Sequence, residues 1–136
     1  MVAYLAPMAF IFITGRRYNM TTGQLIGPKV PLEVFNVTQG KNYRFRLMSA
    51  AMTHPFKISI DSHLLHVIAT DGHDVETMTV SSVVIQPGER YDVWIEATDP
   101  LHLGNYWIRA QTLEFVDKDN VSKTTKIVQV MYMDKI

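Results

Sequence analysis

Val83-Val-Ile-Gln-Pro-Gly-Glu-Arg-Tyr-Asp-Val-Trp-Ile-Glu-Ala-Thr-Asp-Pro-Leu-His-Leu-Gly-Asn-Tyr-Trp-Ile-Arg-Ala110 carries the strongest structural signal in the chain. Three runs rich in Val, Ile, Tyr and Trp lie in it, each bounded by turn chemistry. Pro87-Gly88 suits a type II turn, because Pro presets φ and Gly accepts the positive φ that follows. Asp99-Pro100 and Leu103-Gly104-Asn105 bound the next connection. Tyr91, Val93 and Ile95 alternate with Asp92, Trp94 and Glu96, and Tyr106, Ile108 and Ala110 alternate with Trp107 and Arg109. Period-two alternation means strands with one buried face. The rest of the chain must pack on them.

Working outward, the same pattern recurs. Tyr43, Phe45 and Leu47 alternate with Arg44, Arg46 and Met48, and Phe56, Ile58 and Ile60 with Lys57, Ser59 and Asp61. Residues 64–70, 75–80, 82–86 and 124–133 are further strands, and residues 32–37 are β-prone. The turns are read at 38–41, 61–63 and 71–74, with the Asp61 and Asp71 carboxylates bonding their own backbone. Residues 17–31, 49–55 and 117–120 are read as loops. No window carries a helical stripe. Short strands at roughly ten-residue spacing predict an all-β sandwich or barrel. We expect seven or eight antiparallel strands, with Tyr43, Phe45, Leu47, Phe56, Ile58, Ile60, Tyr91, Val93, Ile95 and Ile108 pointing inward.

The chain has 136 residues, 47% hydrophobic and 19% charged, enough for one core and too few for two domains. Thirteen basic and thirteen acidic residues cancel, which argues against a nucleic-acid partner. Residues 1–13 are apolar, but they lack the basic start and cleavage site of a signal peptide and are too short for a membrane span. A family resemblance carried by motifs further along the chain makes residues 9–13 a first strand. Residues 1–8 have no assigned role and could be a truncated linker, leaving a single domain at 9–136. One strand can bury only half of so apolar a run. The isolated chain is therefore expected to self-associate.

Pro87-Gly-Glu-Arg-Tyr-Asp92, Gly104-Asn-Tyr-Trp-Ile-Arg109, the run Asn36 to Leu47, Ser59-Ile-Asp-Ser-His63 and Val67-Ile-Ala-Thr-Asp-Gly72 together resemble the middle domain of three-domain multicopper oxidases of the laccase-like group. The resemblance covers roughly residues 13–132. It implies a Greek-key, cupredoxin-like (plastocyanin-like) sandwich that binds no copper itself, flanked by two copper-bearing domains of the parent. The parent would oxidise phenols, aromatic amines or metal ions and reduce dioxygen to water. This chain would supply scaffold and part of the wall around a small aromatic substrate. A stand-alone binding or adhesion module on the same sandwich is the alternative.

Ligand chemistry agrees with a copper-free reading. A blue-copper centre needs a Cys thiolate beside two His, and the chain has no Cys and five His. His63 and His66 lie three apart, so on a strand they face opposite ways; their plain readings are a polar turn residue and a strand-surface residue. His54, His73 and His102 lie in loops. No residue is assigned a catalytic or metal role. The resemblance places a phenol-anchoring carboxylate of fungal laccases near Thr53, which is not an acid, so that role is open to His54 or another group. It also makes residues 112–116 a pocket wall with Phe115 as its aromatic. The plain reading of Thr53, His54 and Phe115 is ordinary loop residues. Arg90 and Asp92 flank Tyr91 and read as structural ion-pair partners. Sequons at Asn19, Asn36 and Asn120 are glycosylation candidates, and the resembled family is secreted.

Overall fold

The computed structural model describes residues 9–10, 16–19, 22–26, 34–52, 54–98, 104–113 and 125–134. Twelve strands occur among them: β1 (Ala9–Phe10), β2 (Arg16–Asn19), β3 (Leu25–Ile26), β4 (Val34–Thr38), β5 (Asn42–Met48), β6 (Phe56–Ile60), β7 (Leu65–Thr70), β8 (His73–Val80), β9 (Val83–Ile85), β10 (Arg90–Glu96), β11 (Gly104–Thr112) and β12 (Thr125–Asp134). There is no helix among the described residues. One sheet runs β1-β5-β10-β7-β8; the other runs β3-β2-β12-β11-β6-β9, with β4 also against β12. Neighbours such as β5-β10-β7 are out of chain order, because the chain crosses between sheets instead of turning back on itself. That is Greek-key connectivity.

The alternating residues form the core. Phe45, Leu47, Ile58, Ile60, Val93, Ile95 and Ile108 are buried, and Tyr43, Phe56 and Tyr91 pack half-buried against them. Both sheets contribute to this one cluster, with Leu65 and Val67 from β7 and Val83 and Ile85 from β9 joining it. Two sheets sharing one core make a sandwich. Phe35 meets Phe45 edge-on at 5.7 Å, and the Thr38 N–H donates to the Tyr43 hydroxyl at 2.7 Å, which fixes the β4–β5 connection.

Turn chemistry sets the registers. Gly88 has φ +82° and the Glu89 N–H bonds the Gln86 carbonyl at 3.1 Å, as a Pro-Gly type II turn requires. Asp71 and Gly72 both have positive φ, +48° and +86°, the pair needed for a tight type I′ hairpin. β8 therefore starts at His73, earlier than the turn read at 71–74. The 17–31 segment is also more ordered than a loop. β2 pairs β12 and β3 pairs β2 within it, although Arg-Arg-Tyr-Asn offers no apolar alternation to announce a strand. Such short segments, with the two- and three-residue β1, β3 and β9, raise the strand count above seven or eight. Two pairings are parallel, β1 with β5 and β4 with β12; partners far apart in sequence are free of the hairpin constraint. Of the first strand read at 9–13, Ala9–Phe10 is a strand and the remainder lies outside the described residues.

Candidate functional site

Two connections, 49–55 and 86–89, meet at one end of the sandwich, beside the last residues of β11. The Ser49 N–H donates to the Glu89 carbonyl at 3.1 Å, and the Gly88 N–H donates to the Ser49 carbonyl at 3.0 Å. The Leu113 N–H donates to the Pro55 carbonyl at 2.9 Å, just beyond the Thr112–Phe56 pair that ends the β11–β6 ladder. The start of the 49–55 loop is thus tied to the Pro87-Gly88 turn, and its end to Leu113, just after β11. Beneath them a cavity of about 30 Å³ lies between Leu47, Ser49, Phe56, Ile85 and Ala110. The Ser49 Oγ is buried without a partner. Met52 is 95% exposed and His54 is exposed beside it. Thr53 and Phe115 lie outside the described residues.

The outer face of the first sheet is charged. Asp92 accepts from Arg44, and Arg46 Nε lies 3.5 Å from the same carboxylate. One carboxylate thus lies within reach of two guanidiniums. A polar cavity of about 270 Å³ opens between Arg44, Arg46, Arg90, Asp74 and Asp92. The Arg90 N–H donates to Asp71 Oδ1, and its guanidinium donates to the Asp71 carbonyl, both at 3.0 Å. Asp71 therefore fastens the β7–β8 turn to β10 and does not simply bond its own backbone. Burial, then the Glu89 and Asp71 carboxylates, push the Tyr91 phenol above its ordinary pKa, since each disfavours a phenolate.

On the second sheet Asp61 departs from its expected role in the same way. Its carboxylate takes a two-pronged bond from Arg109, Nε to Oδ1 at 2.6 Å and a terminal nitrogen to Oδ2 at 2.5 Å. That bond, the largest influence, raises the Arg109 pKa. His63 is no exposed turn residue either. It is 7% exposed, its Nδ1–H donates to the Asp61 carbonyl at 2.8 Å, and its ring meets Tyr106 edge-on at 4.8 Å. Ser62, at φ +60°, bends the chain enough to bury it. His66 stacks on Trp94 at 3.8 Å and 16°, with Nδ1 2.8 Å from Thr79 Oγ1. The two imidazoles are thus engaged separately, one on Tyr106 and one on Trp94.

These groups do not fit a copper centre. The chain holds no thiolate, and no three His, Cys, Asp or Glu side chains converge among the described residues. The outward pairing of Arg44 and Arg46 with Asp92 is what sequence reasoning missed. Its signal was present, since all three occupy the polar phase of the alternation in strands that prove to be neighbours. Asn36 is exposed on β4, and Asn19 closes β2; Asn120 lies outside the described residues.

The fold is a cupredoxin-like sandwich. It is similar to the laccase from Botrytis aclada, with a TM-score of 0.66 and 28% identity over 82% of this chain and 19% of that one. The blue copper oxidase of Nitrosomonas europaea shares the fold, with a TM-score of 0.60 at 22% identity over 77% of this chain and 32% of that one. The multicopper oxidase family pattern matches residues 4–133, and the chain belongs to that family. Laccase-4 of Thanatephorus cucumeris is 44% identical over 84 residues, which are 62% of this chain and 15% of that protein. Laccase-2 of Pleurotus ostreatus is 43% identical over 84 residues, again 62% and 15%. The match thus spans about a seventh of the length of these relatives.

Proposed function

We propose that the chain is the copper-free middle domain of a laccase-like multicopper oxidase, holding two copper-bearing domains apart and lining part of the substrate pocket. The parent would be a secreted, copper-dependent enzyme that oxidises phenols, aromatic amines or metal ions and reduces dioxygen to water. Glycans on Asn19, Asn36 and Asn120 fit that setting. Residues 9–136 would form the domain, and residues 1–8 a linker from the one before it. The observation that carries the pocket-wall role is the Leu113–Pro55 bond. It ties Pro55, which ends the segment bearing Thr53 and His54, to Leu113, two positions before Phe115 in the sequence, and the family resemblance assigns both segments to the substrate. His54, exposed at this end, is the group available to hydrogen-bond a phenol where Thr53 offers no carboxylate.

The test is steady-state kinetics of the copper-loaded parent enzyme. His54→Ala is expected to raise KM for a methoxyphenol about 3- to 10-fold, the worth of one hydrogen bond, while Thr53→Asp lowers it. Copper content and the visible spectrum should stay as in the unsubstituted enzyme. Unchanged KM in both variants would remove the pocket-wall role.

A further inference from the structure

β8 differs from every other long strand whose side chains are described. Seven of its eight residues are exposed, whereas its partner β7 alternates buried and half-buried residues throughout. The strand sits at the end of its sheet and pairs, among the described residues, with β7 alone. Among the described residues, nothing pairs with its outer edge, and an unpaired row of N–H and C=O groups is the kind of template that invites another strand.

Exposure on its inner side carries the argument further. Met78 is paired opposite Val67 and Val80 opposite Leu65. Directly opposed residues share a face, and Val67 and Leu65 belong to the core. Met78 thus projects towards the interior of the sandwich, yet it is 63% exposed. The opposite sheet does not cover it. Val75 adds a second exposed apolar side chain on the same strand. Edge strands that must stay single usually carry Lys or Pro, or are short. β8 is eight residues long, with neither; its protection is two carboxylates and one register shift opposite Val67 and Ala69. Its charges are Asp74 and Glu76, so the matching surface is apolar with a basic rim.

We infer that β8 is a docking strand for another domain of the same polypeptide, which covers Met78 and Val75 and bonds the free edge. This rests on the multidomain reading above. The occupant is chosen because the relatives carry more than four-fifths of their length outside the matched region. Intramolecular domain contacts of roughly 600–1,500 Å² are ample to bury one such strand.

Hydrogen exchange read by mass spectrometry, on the natural gene product and on the 136-residue chain side by side, tests it. The β8 amides that point away from β7 are expected to exchange at least about tenfold more slowly in the gene product than in the chain, because opening them then requires undocking. Met78→Glu should lower the Tm of the gene product by several degrees and leave that of the chain within about one degree, since an exposed site tolerates the change. Equal exchange in both proteins, or an equal effect of Met78→Glu on both, overturns docking while leaving a multidomain parent intact. A chain dimer that Met78→Glu dissociates assigns the strand to a second copy and also overturns it. A gene product of only 136 residues defeats the multidomain reading itself, and docking with it.

Discussion

Ile95→Ala is expected to destabilise the isolated chain by about 2–5 kcal/mol, read as a fall in the urea midpoint at unchanged slope. Ile95 is 0% exposed and sits on β10, the central strand of the first sheet. Truncation removes its transfer free energy and leaves a cavity that flanking strands, bonded on both sides, are poorly placed to close. β10 is paired with β5 along its whole length and with β7 over its middle. Val84 is the control. It lies on β9 with its side chain exposed, so Val84→Ala should move stability by no more than about 0.5 kcal/mol. Equal losses at the two positions would mean that the two faces have been assigned wrongly.

Asp92→Ala is the second large expected effect, about 2–3 kcal/mol. The Asp92 side chain is 18% exposed and those of Arg44 and Arg46 are 30% and 43% exposed. Removing the shared carboxylate deletes the Arg44 bond and the negative charge 3.5 Å from Arg46 Nε, so that the mutual repulsion of the two guanidiniums is no longer offset by Asp92. Breaking a buried pair costs roughly 3–5 kcal/mol, and the partial exposure of the arginines discounts that figure because solvent screens them. The loss should shrink in high salt, which screens the exposed parts of the repulsion. Chemical unfolding of Asp92→Ala at low and high salt makes the check. A loss below about 0.5 kcal/mol would reduce the triad to a surface pairing.

How far these features were legible beforehand depended on the kind of signal each residue carries. Period-two alternation placed Phe45, Ile58, Val93, Ile95 and Ile108 in the core, because a strand can face only two ways. Pro87-Gly88 and Asp71-Gly72 announced their turns through backbone preferences local to each pair. β2 and β3 were hidden, since a four-residue strand with two Arg is held by its pairing to β12 and not by its own sequence. His63 was read as a polar turn residue, and burying it took the bend at Ser62 together with a ring partner, Tyr106, 43 positions away in the numbering. Asp61 and Arg109 could not be matched either. Nothing local says that β6 and β11 are neighbours, and charge alone does not choose among thirteen basic residues. The site was legible only as a pair of loops. That Pro55 and Leu113 lie side by side follows from the β6–β11 ladder, which is a property of the fold.

Copper content of the purified 136-residue chain, after equilibration with excess copper and exhaustive dialysis, tests the copper-free assignment most directly. With no thiolate in the chain, no three His, Cys, Asp or Glu side chains converging among the described residues, and His63 and His66 held on separate ring partners, Tyr106 and Trp94, no stoichiometric copper and no intense blue absorption are expected. One tightly held copper per chain, lost on His63→Ala or His66→Ala, would contradict it.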